Sequence, residues 1–288
     1  MGRSGPPADL PAGVSWHQVD FRQTEQVAGL VGPGDSVFHL IGGSTPRDSN
    51  LSPTADIAQT VVSTVDFIAR IASRARRLVF ISSGGTVYGI QAGILTENAP
   101  TQPTSAYGIN KRMVEMYLDL YRHLQGLDYC VLRVANPFGP KQLNRHQQGV
   151  IGAFMRAAVE NAPVAVWGDG SIERDFIYID DVIDAIMAAE RNPNLSSRIY
   201  NIGSGRCRSI LEIIATIERL GRVSLRKTFT PGRIEDVPSV RLDISLAARE
   251  LGWQPRCDWQ DAMEQTFAWY RREYGGQSRA SRTTAIGA

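Results

Sequence analysis

Short apolar runs rich in β-branched residues alternate with helix-like segments through the first half of this chain. The apolar runs lie at 35–42, 76–83 and 128–135, and helical periodicity fills 54–74 and the segment that opens at Ser105. This alternation is typical of βαβ units, whose strands form a parallel sheet that helices cover on both faces. The sequence therefore predicts an α/β fold.

Beyond Pro140 the pattern changes to shorter strands between helices, which indicates a second lobe of mixed α/β structure. A chain of 288 residues, 43% of them hydrophobic, is long enough for such an arrangement around a large core. We expect a sheet domain over 1–140 and a smaller lobe mainly over 141–274, part of which returns to the sheet domain. The last segment, 275–288, is small, polar and aperiodic, and we expect a disordered tail there.

Charge and hydropathy argue against several classes of partner. The 31 basic and 29 acidic side chains leave a formal net charge of +2, which does not favour nucleic acid or an anionic membrane. No apolar run approaches the roughly 18 residues of a membrane span, and the first residues lack the apolar centre of a signal peptide. Cys130, Cys207 and Cys257 are scattered without metal-ligand spacing, so no metal site is expected. We therefore expect a cytoplasmic protein without a nucleic-acid or membrane partner.

Tyr107 and Lys111 form the most suggestive pair of polar side chains. They lie four residues apart at the head of an amphipathic helix, so both emerge on one face, one turn apart. A tyrosine hydroxyl with a reference pKa near ~10 is a poor base at neutral pH, and a nearby lysine cation favours its phenolate. On spacing alone, the pair is either a catalytic base with its partner or ordinary helix surface.

Five short motifs, taken in order and spacing, resemble those of the NAD-dependent epimerase/dehydratase family of extended short-chain dehydrogenases/reductases. The resemblance runs from about Val14 to about Tyr270. It implies a doubly wound, Rossmann-like parallel-sheet domain, a smaller mixed α/β substrate lobe and NAD as cofactor. The motifs are "SSGGTVYG" (82–89), "YGINK" (107–111), "RVANPFGP" (133–140), "RDFIYIDDV" (174–182) and "YNIGSG" (200–205).

The resemblance implies catalytic roles for the "YGINK" pair and the "SSGGTVYG" loop. Tyr107 would take the proton from a sugar hydroxyl while hydride leaves the same carbon for NAD, and Lys111 would tune Tyr107 and hold the nicotinamide ribose. The family usually carries a hydroxyl two positions before Thr86, where this chain has glycine. The hydroxyl must then come from Ser83 or Thr86, or be absent. The acidic pair of the family's 4,6-dehydratases is replaced by Gly85 and Thr86, which disfavours dehydration.

The resemblance also implies the residues that contact cofactor and substrate. The cofactor-binding candidates are Asp20, Phe21, Leu40, Ile41, Gly42, Thr60 and Ser82, with Tyr107 and Lys111. The substrate-binding candidates are Ser83, Thr86, Asn136, Arg174, Arg233 and Asp236. Arginine suits the diphosphate because its planar fork can donate two parallel hydrogen bonds.

One expected motif does not occur in the sequence. A fold of this type opens with a strand, a G-x-x-G-x-x-G turn and a helix whose N-terminus receives the pyrophosphate. Instead, 13–21 already resembles the family's third strand. About 35 residues, the size of a βαβ unit, would then be absent, so the Rossmann-like domain is expected to be N-terminally incomplete.

These observations favour a nucleotide-sugar 4-epimerase that acts on a UDP-hexose through transient NAD-dependent oxidation at C4. A homodimer through the helices at 54–74 and 107–125 is expected by family analogy. Two alternatives stay open. One is a nucleotide-sugar reductase or decarboxylase of the same family, and the other is a non-catalytic, truncated remnant that binds a nucleotide sugar.

Overall fold

A computed structural model gives the fold and describes residues 1–42, 45–91, 93–142, 149–232 and 239–275. Up to residue 134 the elements are α1 (Thr24–Gly29), β1 (Ser36–His39), α2 (Pro46–Leu51), α3 (Pro53–Asp56), a π-helix (Ile57–Val62), α4 (Ser63–Ile71), β2 (Arg77–Ser83), β3 (Gly93–Leu95), α5 (Ala106–Gln125) and β4 (Tyr129–Val134). Beyond it they are β5 (Asn136–Phe138), α6 (Val150–Glu160), β6 (Val164–Trp167), β7 (Glu173–Tyr178), α7 (Ile179–Arg191), β8 (Ile199–Ile202), β9 (Cys207–Ser209), α8 (Ile210–Gly221), β10 (Lys227–Thr230), β11 (Ser239–Leu242), α9 (Ser245–Leu251) and α10 (Trp259–Tyr274).

The chain packs as two compact units. The first comprises Met1–Ser82 and Pro103–Leu132, and the second comprises Ser83–Gln102 and the described residues from Arg133 onward. The "SSGGTVYG" loop therefore packs mainly with the later part of the chain, whereas Tyr107 packs with the N-terminal part.

A buried parallel sheet confirms the predicted α/β fold. The strand order is β1–β2–β4–β8, and β1 pairs with β2 in parallel, with Ser36 opposite Arg77 and His39 opposite Phe80. Every residue of β4 is buried, and β2 is nearly as enclosed, which accounts for their continuous apolar runs. At the start of β2, the buried Arg77 guanidinium pairs with Asp128 at 2.6 Å.

Two local expectations for the N-terminal part were wrong. The helix expected over 54–74 is interrupted by the π-helix, where the Thr60 hydroxyl donates to the Asp56 carbonyl. Such bulges occur often at functional sites, and helical periodicity does not reveal them. The strand expected within 13–21 is reduced to one parallel bridge between Gly2 and Gln18, because a strand needs a neighbour and only Gly2 lies alongside.

The second unit is a mixed α/β structure with its own core. Its larger sheet has the order β3–β11–β7–β5, with β9 antiparallel to β7, and β10 pairs with β6 in a separate parallel pair. Helices α6, α8 and α10 enclose an apolar cluster that contains Met155, Ile217 and Met263, all fully buried. The Tyr270 hydroxyl donates to the Gln142 carbonyl at 2.6 Å, at the edge of this cluster.

Ile217→Ala should destabilise the second unit by about 2–5 kcal/mol, because the truncation leaves a cavity among closely packed helices. Ile183→Ala is the matched control, since Ile183 also lies in a helix of this unit but is 48% exposed. It should change the free energy of unfolding by less than about 0.5 kcal/mol. Urea denaturation followed by circular dichroism measures both, and equal losses would contradict the location of the core.

Candidate active site

Helix α2 fixes the first turn of α5, which carries Tyr107. Ser105 is the N-cap, and its hydroxyl accepts the N–H three residues further on. The Asn50 side-chain oxygen accepts the N–H of Ala106 at 2.8 Å, and the Ser49 hydroxyl accepts that of Tyr107 at 2.9 Å. The first N–H groups of a helix have no partner within it, so these contacts satisfy them and set the position of Tyr107.

Tyr107 and Lys111 line one narrow pocket in the first unit. The Lys111 ammonium donates to the Ile81 carbonyl at 2.8 Å and lies 4.8 Å from the centre of the Phe80 ring. It is 5.7 Å from the centre of the Tyr107 ring. Burial lowers the pKa of Lys111 to about 8, against the opposing effect of the Glu115 and Asp56 carboxylates.

The surroundings of Tyr107 favour its neutral phenol. Burial raises the pKa of Tyr107, and the negative charge of Asp56 raises it further. Neither influence assists the phenolate that a base requires. Tyr107 therefore needs additional positive charge, such as a cationic ligand in the pocket, to act as a base near neutral pH.

Two buried polar atoms of this pocket have no hydrogen-bond partner within the described ranges. They are Nδ1 of His39 and Oδ1 of Asn110. His39 is packed against the rings of Phe21 and Phe80, and burial lowers its pKa to about 3, so the imidazole stays neutral. Buried polar groups almost always have a partner, so unpaired atoms that line a pocket are consistent with a ligand site.

A second pocket of about 180 Å³ adjoins the first, since Ile41, Gly42 and Thr60 line both. Asp20 and Phe21 line this second pocket. The Asp20 carboxylate is held by the Arg22 guanidinium at 2.6 Å, and this hydrogen bond lowers the pKa of Asp20 to about 2. Seven of the nine cofactor-binding candidates, Tyr107 and Lys111 included, therefore lie along one continuous recess.

Two further cofactor-binding candidates lie outside this recess. Leu40 is 62% exposed and lines neither pocket. The Ser82 hydroxyl is buried and donates to the Glu115 carboxylate at 2.6 Å, which ties it to helix α5. Ser82 therefore supports the helix that carries Lys111, and neither pocket lining includes it.

In the second unit, Gly84 has no room for the hydroxyl side chain that the family usually carries there. A Cβ at this position would lie 2.4 Å from Cδ1 of Leu242 and 3.0 Å from the Arg133 carbonyl oxygen. The Ser83 carbonyl accepts the N–H of Thr86 at 3.4 Å, which closes the turn. The Thr86 hydroxyl is buried and has no partner in the part of the chain that the structure describes. Thr86 thus offers a buried hydroxyl with unused hydrogen-bonding capacity in this loop.

The remaining substrate-binding candidates are only partly covered by the structure. The Asn136 side-chain amide donates to the Asp175 carbonyl at 2.8 Å, and Gly85 lies beside its Oδ1. Arg174 lines a recess of about 150 Å³ in the second unit together with Trp167. Arg233 and Asp236 lie outside the described residues, as does the segment expected to form a disordered tail after Gly275.

Sequence reasoning missed Asp56 and Asn110, which both line the Tyr107 pocket. The Asn110 side-chain amide donates to the Asp56 carboxylate at 2.7 Å. The one available signal was the polar residue directly before Lys111, within "YGINK". Its partner is 54 residues earlier, and no periodicity links the two.

Neither a membrane-spanning helix nor a metal cluster occurs in the described ranges. No helix there is long and apolar enough to cross a membrane. No group of three or more His, Cys, Asp or Glu side chains among the same residues could hold a metal ion.

The sequence profile of the NAD dependent epimerase/dehydratase family matches residues 2–203. The chain is 33% identical over 240 residues to a UDP-glucose 4-epimerase of Mycolicibacterium smegmatis, a match that covers 82% of this chain and 76% of the relative. It is 31% identical over 235 residues to a dTDP-4-dehydro-6-deoxyglucose reductase of Escherichia coli, covering 80% and 72%.

Solved structures of epimerases share the fold. A UDP-glucose 4-epimerase of Thermotoga maritima with UDP-glucose superposes with a TM-score of 0.87 at 27% identity, over 94% of this chain and 88% of that chain. A Thermus thermophilus UDP-glucose 4-epimerase complex with NAD superposes with a TM-score of 0.83 at 26% identity, over 93% and 88%. These matches confirm the Rossmann-like parallel-sheet fold and NAD as the cofactor of the family.

Gly84→Ala should destabilise the protein by about 1–3 kcal/mol, because the added methyl group enters space that Leu242 fills. In a Leu242→Ala background the same change should cost at least about 0.5 kcal/mol less. Gly85→Ala is the control, since its Cβ would meet no atom closer than 4.0 Å. A double-mutant cycle of unfolding free energies measures the coupling, and an equal cost in both backgrounds would contradict the contact.

Proposed function

Because the chain belongs to the NAD-dependent epimerase/dehydratase family, we propose that it is a nucleotide-sugar 4-epimerase that acts on a UDP-hexose. The observation that carries this proposal is that Tyr107 and Lys111, both half-buried, line one pocket on a helix whose first turn is capped. The raised pKa of Tyr107 means that its phenolate forms only beside a positively charged ligand. Such a tyrosine suits a base that is active only when the cofactor is bound.

The recess in the first unit suits NAD in the side chains that line it. Phe21 and Ile41 offer apolar surface, Gly42 allows close approach of the backbone, and the unpaired polar atoms of His39 and Asn110 can receive hydrogen bonds. When bound, NAD accepts a hydride from C4 of the sugar and brings the positive charge of its nicotinamide. Asp20 and Thr60 are proposed to contact the cofactor along the same recess.

The proposed work of the chain's own residues is proton transfer and orientation. The Tyr107 oxygen takes the proton of the C4 hydroxyl and returns it after the 4-keto sugar has turned its other face. Lys111 holds the nicotinamide ribose and keeps a positive charge near Tyr107. The Thr86 hydroxyl is proposed to donate to the reacting sugar oxygen, with Ser83 as the second candidate.

The nucleotide part of the substrate is assigned to the second unit. Arg174 lines a recess beside the Trp167 side chain, a combination suited to an anionic nucleotide. Asn136 lies next to Gly85, where it could contact the diphosphate. Arg233 and Asp236 are also proposed to contact the diphosphate and the ribose.

A reductase is the second candidate, favoured by the similarity to the Escherichia coli dTDP-4-dehydro-6-deoxyglucose reductase. The two reactions differ in their redox balance. An epimerase returns its hydride to the substrate and leaves the amount of oxidised cofactor unchanged, whereas a reductase consumes one reduced cofactor for each product. Product chromatography together with absorbance at the wavelength of the reduced nicotinamide therefore distinguishes them.

Tyr107→Phe should reduce the interconversion of UDP-glucose and UDP-galactose by about 10²–10⁴-fold, because it removes the proposed base and little else. Tyr121→Phe is the matched control, since Tyr121 lies in the same helix and lines neither pocket of the recess. It should retain the wild-type rate. Chromatography of the UDP-sugars measures both variants, and an active Tyr107→Phe protein would contradict the proposal.

Helix α5 also supports a homodimer. Large apolar side chains follow one face of this helix and remain exposed, which is uncommon for a monomeric protein surface. Val62, in the π-helix of the same unit, is exposed as well. The exposed members of α5 are Ile109, Met116, Tyr117, Leu120 and Leu124. We propose that this face pairs with its copy in a second chain.

The double variant Met116→Lys/Leu120→Lys should convert the dimer into a monomer, because it places charge in the middle of the apolar face. Ile183→Lys is the control, since Ile183 is similarly exposed but lies on α7 of the second unit. Size-exclusion chromatography with light scattering gives the masses. A wild-type mass of one chain, or a double variant that stays dimeric, would contradict this interface.

A further inference from the structure

The pocket that holds Tyr107 and Lys111 also contains a fixed carboxylate. Asp56 ends α3, is 8% exposed and lines this pocket. Its Oδ2 accepts a hydrogen bond from the Asn110 amide at 2.7 Å. Asn110 itself is 5% exposed and directly precedes Lys111 in α5. The carboxylate is thus joined to the helix that carries both proposed catalytic side chains.

The backbone of Asp56 is as well fixed as its side chain. Its N–H donates to the Ser52 carbonyl at 3.0 Å, and its carbonyl accepts the Thr60 hydroxyl at the start of the π-helix. These contacts fix the backbone of Asp56, and the hydrogen bond from the Asn110 amide holds the carboxylate at the pocket. A charge that cannot reorient exerts a constant electrostatic effect on its neighbours.

We propose that Asp56, held by Asn110, is a positioning residue with two effects. It keeps Lys111 an ammonium ion throughout, and it keeps Tyr107 a neutral phenol until a positively charged ligand enters the pocket. This inference rests on the proposed function of the Tyr107–Lys111 pair. It adds the statement that the resting protonation state of that pair is set by a third residue, which neither the sequence motifs nor the comparisons indicate.

The other titratable groups around the pair do not supply this effect in the same way. His39, which faces the pocket from β1, is neutral because burial lowers its pKa to about 3. Glu115 faces Lys111 from the next turn of α5, but Ser82 donates to it at 2.6 Å and the Arg112 guanidinium lies at 3.3 Å. Glu115 raises the pKa of Lys111 more than Asp56 does, but Asp56 is the carboxylate that raises the pKa of both Lys111 and Tyr107. Asp56 has an amide as its side-chain partner and no ion pair within the described residues.

The charge of Asp56 acts on the two residues in the same direction. A negative neighbour stabilises the ammonium of Lys111 and destabilises the phenolate of Tyr107, and it raises both pKa values. Removing the charge should therefore lower both. Loosening of the pocket would act differently, because reduced burial raises the pKa of Lys111 and lowers that of Tyr107. The direction in which Lys111 moves separates the electrostatic role from a merely structural one.

The test is a pH titration of Lys111 by nuclear magnetic resonance in the cofactor-free 288-residue chain. The chain has three lysines, Lys111, Lys141 and Lys227, so selective ¹³C labelling of lysine gives a spectrum that Lys141→Arg and Lys227→Arg can assign. In Asp56→Asn we expect the Lys111 midpoint to fall by about one pH unit relative to wild type. Asp119→Asn, on the exposed face of α5, is the matched control and should leave the midpoint unchanged.

A Lys111 midpoint that stays constant or rises in Asp56→Asn would overturn the proposal. Asp56→Glu keeps the charge, so its Lys111 midpoint should stay closer to wild type than that of Asp56→Asn. In the same variant set, ¹³C-labelled tyrosine, with Tyr107→Phe for assignment, should show a lower Tyr107 midpoint in Asp56→Asn. Because no substrate is involved, this titration can fail while wild type interconverts UDP-sugars, and it can succeed in a protein that does not.

Discussion

The burial of one ammonium group organises the first unit of this protein. The Lys111 side chain is half-buried, and its charge is stabilised because the Ile81 carbonyl accepts its hydrogen bond and the Phe80 ring lies beneath it. Two carboxylates, Glu115 and Asp56, support the charged form. These groups belong to strand β2, to helix α3 and to helix α5. Their contacts with Lys111 therefore restrict how these three elements pack against one another. The side chain proposed to serve the chemistry is therefore also one that constrains the local fold.

Close packing also constrains the loop that follows β2. Gly84 cannot carry a side chain because Leu242 and the Arg133 carbonyl fill the adjacent space. The requirement for close packing thus removes a hydroxyl from the position where relatives usually have one. Thr86, two residues later, is left with a buried hydroxyl that has no partner in the described part of the chain. The loop thus combines a tightly packed glycine with a buried hydroxyl that is free to bind a ligand.

The elements buried on both faces were the ones that sequence patterns predicted best. Strands β2 and β4 lie within one residue of their apolar runs, and α5 begins one residue after Ser105, where the sequence pattern placed its start. Local patterns were sufficient there because burial and capping leave a direct mark on the sequence. They failed at the π-helix, because helical periodicity does not reveal a segment with wider turns.

Sequence patterns predicted only those residues of the site that carry a motif. Tyr107 and Lys111 were found because their spacing places them on one helical face. The Asp56–Asn110 contact was missed because it joins residues 54 positions apart. Gly84 showed that a hydroxyl was missing, but only the three-dimensional position of Leu242 explains why. Long-range packing of this kind leaves no local signal.

The most direct test of the proposed chemistry is the fate of a deuterium atom at C4 of UDP-glucose. We expect the wild-type chain, supplied with NAD, to form UDP-galactose that retains this deuterium, because hydride leaves and returns to the same carbon without exchange with water. Mass spectrometry of the product in ordinary buffer measures the retention. Loss of the deuterium to solvent, or no conversion at all, would contradict a 4-epimerase that works through Tyr107 and transient oxidation at C4.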